Sequence, residues 1–525
     1  MARRASETGP PLGGSLAVIG GRLEDNNAAI YAEMHRLSGG RVLVFPTASA
    51  EPDEVGAETL AAFRGHGFAA EVAPLHAGGV GADDPALAAM IADFGSAYFT
   101  GGDQAKIVAA LAPGGAETAA LAAIRRALGA GGLLAGSSAG AAMMSGPMLL
   151  GGTSLEAVVH GVTDDPERPG LLMGQGLGFF PFGLVDQHFI KRGRLGRLVV
   201  AMAAAGVRRG FGVDENTALF VEGRRGRVCG EYGMMVVDLG GAELDPGRGA
   251  FRDFRLSYLD DGDEIDLAGL RPAPGPLKRK VRRREMAYRA PLRSRRNAFG
   301  AYTLYDLMAR LVLADPAAYG DDRVSAFDAR SGVNVTVALT RRRGRSRALV
   351  ATPPSGLRMT GIDFRCSMTS ERLSATRVTE RLGRPARSFG MAPNPEARIV
   401  LLGSSPLGAD PAMMAPVRWA WSPPPRPSPG ASRATTSRSS AGSASRRSIS
   451  GSPSTRSSTP PTTPTSSSAS RGCAASSSPA ATRCGSWRRC STAARRAPSC
   501  APSPAPTPRA RRSSPPPARR RRSRG

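Results

Sequence analysis

Leu133-Leu134-Ala135-Gly136-Ser137-Ser138-Ala139-Gly140-Ala141 is the stretch whose reading decides the fold. An apolar strand runs into a glycine-flanked serine, and small residues follow. This is the G-x-S-x-G spacing of a sharp strand-to-helix turn that exposes a serine oxygen beside a helix N-terminus. Glycines tolerate the backbone angles that such a turn demands, and small side chains let neighbouring backbone approach. The spacing makes Ser138 the candidate nucleophile and leaves Ser137 one residue too early. A small-residue turn packed against a sheet has the same composition, so the pattern needs partners elsewhere in the chain.

Working outward, apolar runs alternate with helix-like segments. Strands are expected at Ser15–Gly20, Arg41–Thr47, Ala69–Leu75, Ala97–Thr100 and Leu133–Ala135, with helices at Asn26–Leu37, Glu51–Arg64, Pro85–Asp93 and Ala116–Leu128. Val42-Leu43-Val44-Phe45 is continuously apolar, as a parallel strand buried on both faces requires. The alternation predicts an α/β three-layer sandwich with a mainly parallel central sheet. Gly101–Gln104 and Ser138 then fall at the C-terminal strand ends, where such sheets bind ligands. Residues 206–240 read as β-hairpins, with a turn at Arg224–Arg227.

A serine hydroxyl needs a base, and the base needs an acid to orient it. The chain has five histidines. His35 and His66 lie in helix-like, Ala-rich stretches, and His76 and His160 in expected loops. His188 ends the apolar run at Val185-Asp186-Gln187-His188-Phe189 and precedes Lys191-Arg192-Gly193-Arg194-Leu195-Gly196-Arg197, which makes it the best base. The acid stays open on residue grounds. Glu156 lies between the serine and the histidine. Asp186 is too near His188 in sequence, because strand neighbours point to opposite faces. Asp214 and Glu215 sit at a strand end, where a structural role is favoured.

Four blocks in order carry a resemblance: Phe99–Gln104, Gly136–Ala141, Asp186–Phe189 with Arg192–Arg197, and Gly212–Leu219. Over residues 13–270 the chain resembles cyanophycinase, of the serine-peptidase family that also contains alpha-aspartyl dipeptidase. The resemblance implies Ser138 as nucleophile, His188 as base and Glu156 as orienting acid. It implies substrate binding by Gln104, Asp186, Gln187, Arg192, Arg194 and Arg197. The implied reaction is hydrolysis of cyanophycin, a polyaspartate with arginine on each side chain, to β-aspartyl-arginine through an acyl-enzyme. An oxyanion hole is expected from the backbone N–H groups of Gly102 and Ala139. The arginine forks match free carboxylates, although a solvated helix start would show the same spacing. No metal or other cofactor is expected. The partners implied are the polymer or β-aspartyl-arginine oligomers and a second copy of the chain, with no specific nucleic acid and no membrane. An alpha- or β-aspartyl dipeptidase is the alternative within the family. A non-catalytic polyanion binder on a relic scaffold is the alternative outside it.

Composition bounds the remainder. The net charge is +27 over 525 residues, which at first suggests nucleic acid. Residues 421–525, however, hold 20 arginines, no lysine and no acid. This Ser/Pro/Arg-rich tail lacks the apolar surface to offset the entropy of ordering and is expected to be disordered. Its abrupt onset after Pro416 is what a shifted reading frame in a GC-rich gene yields; the alternative is an RS- or PS-rich tail that binds polyanions. Residues 285–415 are expected to form a small, mainly β accessory domain, with a helix at Tyr302–Leu313, strands at Val324–Asp328, Val333–Thr340 and Ala348–Ala351, and a further apolar strand at Ala397–Gly403. The six cysteines fit neither a disulfide framework nor a zinc site. No secretion signal or membrane span is read, so a cytoplasmic location is expected. Deleting residues 421–525 should leave hydrolytic activity unchanged, since every candidate site residue precedes Asn216. It should also reduce salt-dependent retention on nucleic acid; column elution and activity assays of both chains check this.

Overall fold

The structure is a computed structural model, and it describes residues 13–281 except 77, together with 294–313, 320–352, 357–374 and 377. The expected strand at Ala397–Gly403, the end of the accessory region and the 421–525 tail lie outside the described residues.

Among the described residues the first sheet has nine strands. Its parallel half runs Ser15–Ile19, Leu133–Ser137, Ala97–Phe99, Arg41–Phe45, Ala69–Val72, each hydrogen-bonded to the next. On the other side of Ser15–Ile19 the sheet turns antiparallel through Thr217–Glu222, Arg225–Gly230, Glu264–Asp266 and Arg271–Ala273. The basic hairpin is tighter than expected: the turn is at Gly223-Arg224, where Gly223 has φ +59°, and Arg225–Arg227 belong to a strand. The two faces separate with the strand period of two. Leu16, Val18, Leu43, Phe45, Phe99 and Leu134 enter one core. Ala17, Ile19, Val42, Val44, Tyr98 and Ala135 enter the other, under helices Ala28–Ser38 and Pro52–Gly65. Full burial of each large aliphatic side chain is worth about 1.5–3 kcal/mol, so two-sided burial outweighs the roughly 1 kcal/mol net of a ladder hydrogen bond.

A second sheet packs across the first of these cores, to which it gives Val185, Phe211, Val213 and Met234. Its path is Arg279–Lys280, Arg347–Ala351, Arg358–Arg372, Ala250–Asp260, Gly233–Asp238, Arg209–Val213, Leu184–Asp186. The last pair is parallel. Helices Leu195–Ala205 and Thr303–Leu313 cover its far face. The helix expected at Tyr302–Leu313 and the strands that follow it are present. They extend this sheet, because Arg358–Arg372 pairs with both Ala250–Asp260 and Val333–Thr340. Among the described residues no helix is long and apolar enough to cross a membrane.

A buried ionic node ties the appended strands to this sheet. Lys278 Nζ reaches Asp260 and, at 2.7 Å, Asp263. Asp260 also accepts from Met359 N at 2.7 Å, and Asp263 from Thr360 Oγ1 at 2.7 Å. All three charged side chains are 3% exposed or less, so removing one partner strands a charge in a dry site. Lys278→Met should cost about 3–5 kcal/mol, read as a lower denaturation midpoint. An unchanged midpoint would show that the node carries no stability.

Candidate functional site

The site sits where strand ends of the two sheets converge. Ser138 follows the strand Leu133–Ser137 in the first sheet. Its φ of +54° and ψ of −105° are rare for a residue with a side chain; such strain is held by its surroundings. Close backbone approach explains the neighbouring glycines. A Cβ on Gly136 would meet Gly140 O at 2.3 Å, and one on Gly140 would meet Phe99 O at 2.4 Å. The turn puts successive serines on opposite sides. Ser137 is buried and pairs with the Tyr98 phenol, whereas Ser138 Oγ lies 2.8 Å from His188 Nε2.

His188 comes from the second sheet, just past Leu184–Asp186, and it too has a positive φ, +46°. Its N–H donates to Gly20 O at 2.6 Å. Gly21 gives the imidazole room: a Cβ there would fall 2.3 Å from the ring. On the far side, His188 Nδ1 lies 2.7 Å from Glu215 Oε1. A carboxylate only accepts, so Nδ1 carries the proton and the Nε2 lone pair faces the serine hydroxyl. Burial pushes the imidazole below its ordinary range; the Glu215 hydrogen bond opposes this, and Arg192 and Arg194 add to it. Glu215 is drawn upward by burial, but the hydrogen bond from His188, with the charges of Arg22 and Arg192, outweighs that and holds its carboxyl low. The pair is a neutral base beside an ionised acid. In this arrangement a serine proton has a direct path to nitrogen.

Glu156, the expected acid, is elsewhere. It is the third residue of helix Ser154–His160 and closes a capping box: its Oε2 accepts from Thr153 N at 3.0 Å and Thr153 Oγ1 at 2.8 Å. Thr-x-x-Glu before an apolar run is the spacing of such a cap, and that signal was available in Thr153-Ser154-Leu155-Glu156. The same helix ends at His160, which the sequence reading put in a loop. Glu215, for which the sequence favours a structural role, is the carboxylate that meets the histidine. Its signal was the polar run Asp214-Glu215-Asn216 interrupting two apolar strands, Arg209–Val213 and Thr217–Glu222.

The expected substrate ligands divide into two groups. Asp186, 1% exposed, is held by Arg197 through Nε at 2.9 Å and through Nη2, and by Arg194 Nη1 at 3.4 Å. Arg194 Nη1 also donates to Gln187 O at 2.7 Å, and Arg197 Nη2 to Gln187 Oε1 at 3.4 Å. Gln104 Nε2 donates to Leu149 O at 2.7 Å and Leu150 O at 3.2 Å. Five of the six are thus engaged inside the protein: Asp186, Gln187, Arg194 and Arg197 brace the loop that presents His188, and Gln104 holds the strand Pro147–Gly151. Arg192 is exposed and is the guanidinium of the run turned to solvent. Of the expected oxyanion donors, Ala139 directly follows the serine. Ala139 opens the helix Ala139–Ala142, where N–H groups lack intrahelical partners. Gly101 abuts Ser138 Cβ, and Gly102, at φ +140°, has Ala48 O where a side chain would stand.

A parallel α/β sheet carrying a strained serine in contact with a carboxylate-held histidine is the architecture of a serine-type peptidase. The chain belongs to peptidase family S51, whose model matches residues 12–229. It is 34% identical to a cyanophycinase of Trichormus variabilis over 239 residues, which span 43% of this chain and 75% of the relative. It is 33% identical to a cyanophycinase of Synechococcus elongatus (43% and 69%) and 30% identical to one of Geminocystis herdmanii (50% and 96%). A solved peptidase from an acI-B1 actinobacterium matches 49% of this chain and 98% of its own, at 20% identity and TM-score 0.37.

Two substitutions separate the acids. Glu215→Gln should keep the fold and lower kcat by about 10³–10⁴-fold, as loss of the orienting acid does in a triad. Glu156→Ala should lower stability by ~0.5–2 kcal/mol through loss of the cap and leave kcat essentially unchanged. Steady-state kinetics with thermal melts reads both; the reverse pattern would restore Glu156 to the site.

Proposed function

We propose that this chain hydrolyses cyanophycin to β-aspartyl-arginine, with Ser138 as nucleophile, His188 as general base and acid, and Glu215 as the orienting acid. The observation that carries the reading is the unbroken contact from Ser138 Oγ to His188 Nε2 and from His188 Nδ1 to Glu215 Oε1. The substrate is supported by the relatives at 30–34% identity and by the exposed Arg192 next to the base.

The geometry supports the following sequence. Ser138 Oγ attacks the carbonyl carbon of a main-chain aspartyl amide while its proton passes to His188 Nε2. Glu215 holds the imidazolium so formed. The oxyanion faces the N–H groups of Ala139 and Gly102, which need not reorganise as charge develops. His188 then gives the proton to the departing amine, leaving an acyl ester on Ser138. Water attacks that ester by the same route in reverse order, freeing the carboxylate and restoring the hydroxyl. Arg192 presents a bidentate fork to a substrate carboxylate. Its charge also disfavours imidazolium, so one residue serves both recognition and base strength. A cytoplasmic site of action belongs to the same reading.

Incubation of the full chain with insoluble cyanophycin, with mass analysis of the soluble fraction, tests the reading. Wild type should release β-aspartyl-arginine, and Ser138→Ala should reduce release to near background with the fold retained. Hydrolysis of alpha-aspartyl dipeptides without release from the polymer would favour the dipeptidase reading. In Arg192→Ala the acidic limb of kcat/KM should move to higher pH, because removing a neighbouring positive charge raises the His188 pKa.

A further inference from the structure

Residues 188–194, which present His188 and Arg192, form turns between the strand Leu184–Asp186 and the helix Leu195–Ala205. Arg192 N donates to His188 O at 3.0 Å, and Gly193 N to Ile190 O at 3.2 Å. Precise geometry on an irregular segment needs support from the elements packed on it. One support is Asp214, whose Oδ1 accepts from Ile190 N at 3.1 Å and Lys191 N at 3.0 Å. Another comes from residues 297–305, outside the 12–229 span of the family match.

Tyr302 N donates to Ile190 O at 3.1 Å, so Ile190 is gripped through both of its backbone polar groups. Lys191 Nζ lies 5.2 Å from the centre of the Tyr302 ring. Phe299 lies against both glycines of the arginine run. A Cβ on Gly193, at φ +57°, would meet Phe299 O at 2.1 Å, and one on Gly196 would meet Phe299 Cε1 at 3.1 Å. The Tyr302 ring also lies 5.6 Å, centre to centre, from that of Tyr232. Tyr232 N donates to Thr217 Oγ1 at 3.1 Å, and Thr217 Oγ1 to Glu215 O at 3.0 Å. The segment therefore reaches the surroundings of both the base and its acid.

This brace is itself fixed at both ends. Ala298 N donates to Ser325 O at 3.0 Å and Ser325 N to Arg295 O at 2.9 Å, which ties it to the strand Asp321–Asp328. Tyr302 stands directly before the helix Thr303–Leu313, and its O accepts from Asp306 N at 2.9 Å. Its φ of +58° is rare for a residue with a side chain. Such strain persists only where the surroundings impose it, and it gathers at functional positions.

We propose, resting on the assignment of Ser138 and His188 above, that Phe299 and Tyr302 are positioning residues for the hydrolytic site. They hold the segment 188–194 so that His188 Nε2 stays in line with Ser138 Oγ. The appended strands thereby belong to the working site, as the frame that carries the brace. A misplacement of about 1 Å from a change remote from the chemistry can cost about 10²-fold in rate, so a loosened brace shows in the rate before it shows in the fold.

Labelling of the full chain with a fluorophosphonate, timed by peptide mass at Ser138, tests the proposal, because the reagent needs an aligned serine and histidine but no peptide substrate. At a temperature where circular dichroism shows each variant folded, Phe299→Ala and Tyr302→Ala should lower the saturating rate about tenfold or more, with half-saturation unchanged. Tyr302→Phe keeps the ring and should restore the wild-type rate. Phe299→Leu shortens the contact and should fall in between, which reads the effect should an alanine variant fail to fold. Val337→Ala, in the same buried core but on the strand Val333–Thr340, should lower the melting midpoint and leave the rate unchanged. Wild-type rates in both alanine variants, or an equal loss in Val337→Ala, would overturn the proposal. An unlabelled wild type would remove the serine site and this role with it. Slowed alanine variants of a chain that labels but releases no β-aspartyl-arginine would support the brace and count against the substrate.

Discussion

The hydrogen-bonded line from Ser138 through His188 to Glu215 spans two sheets, and the rest of the structure is arranged to let it close. The serine comes from the parallel half of the first sheet. The histidine and the glutamate come from neighbouring parallel strands of the second. The turn at Gly20-Gly21 joins them: Gly20 O accepts from His188 N, Gly20 N donates to Thr217 O, and Gly21 O accepts from Asn216 N. Gly21 has to be a glycine there, because the imidazole fills the space of a Cβ. Positive φ at both Ser138 and His188 is the local cost of aiming the two side chains at each other, and burial of both sheets around them outweighs it.

Around that line, charge is arranged in depth. Asp186 and its two arginines form a buried, multiply bonded group beneath the loop, and breaking one partner there would leave a charge uncompensated. Arg192 is turned outward, where a guanidinium can meet a solute. One short run, Arg192 to Arg197, therefore supplies both a scaffold and a recognition element. Arg192 lies in the exposed segment before the helix Leu195–Ala205, whereas Arg194 stands at its N-cap position and Arg197 is buried in its first turn.

Much of this was legible in the residues. The apolar strands, the glycine-bounded serine and the isolated His188 each carry a local signature, and each stands where its signature put it. Ser138 rather than Ser137 followed from spacing alone. The polar run around Glu215 marked a candidate acid, but its partnership with His188 was not legible, because that is made across space. Glu215 meets His188 only when Arg209–Val213 pairs alongside Leu184–Asp186, and nothing local to either residue encodes that pairing. Glu156 was attractive for its place between serine and histidine, yet its own neighbour Thr153 accounts for it completely. Likewise the spacing of the arginines could not tell a buried ion pair from a solvated face, since both recur at three residues.

The most direct test of the account is covalent labelling of the full chain with a fluorophosphonate, followed over pH and mapped by peptide mass. The account predicts a single label on Ser138, at a rate that rises through a pKa below the ordinary histidine value of about 6.5 and collapses in Glu215→Gln. Labelling of Ser137, or a rate indifferent to Glu215, would contradict it.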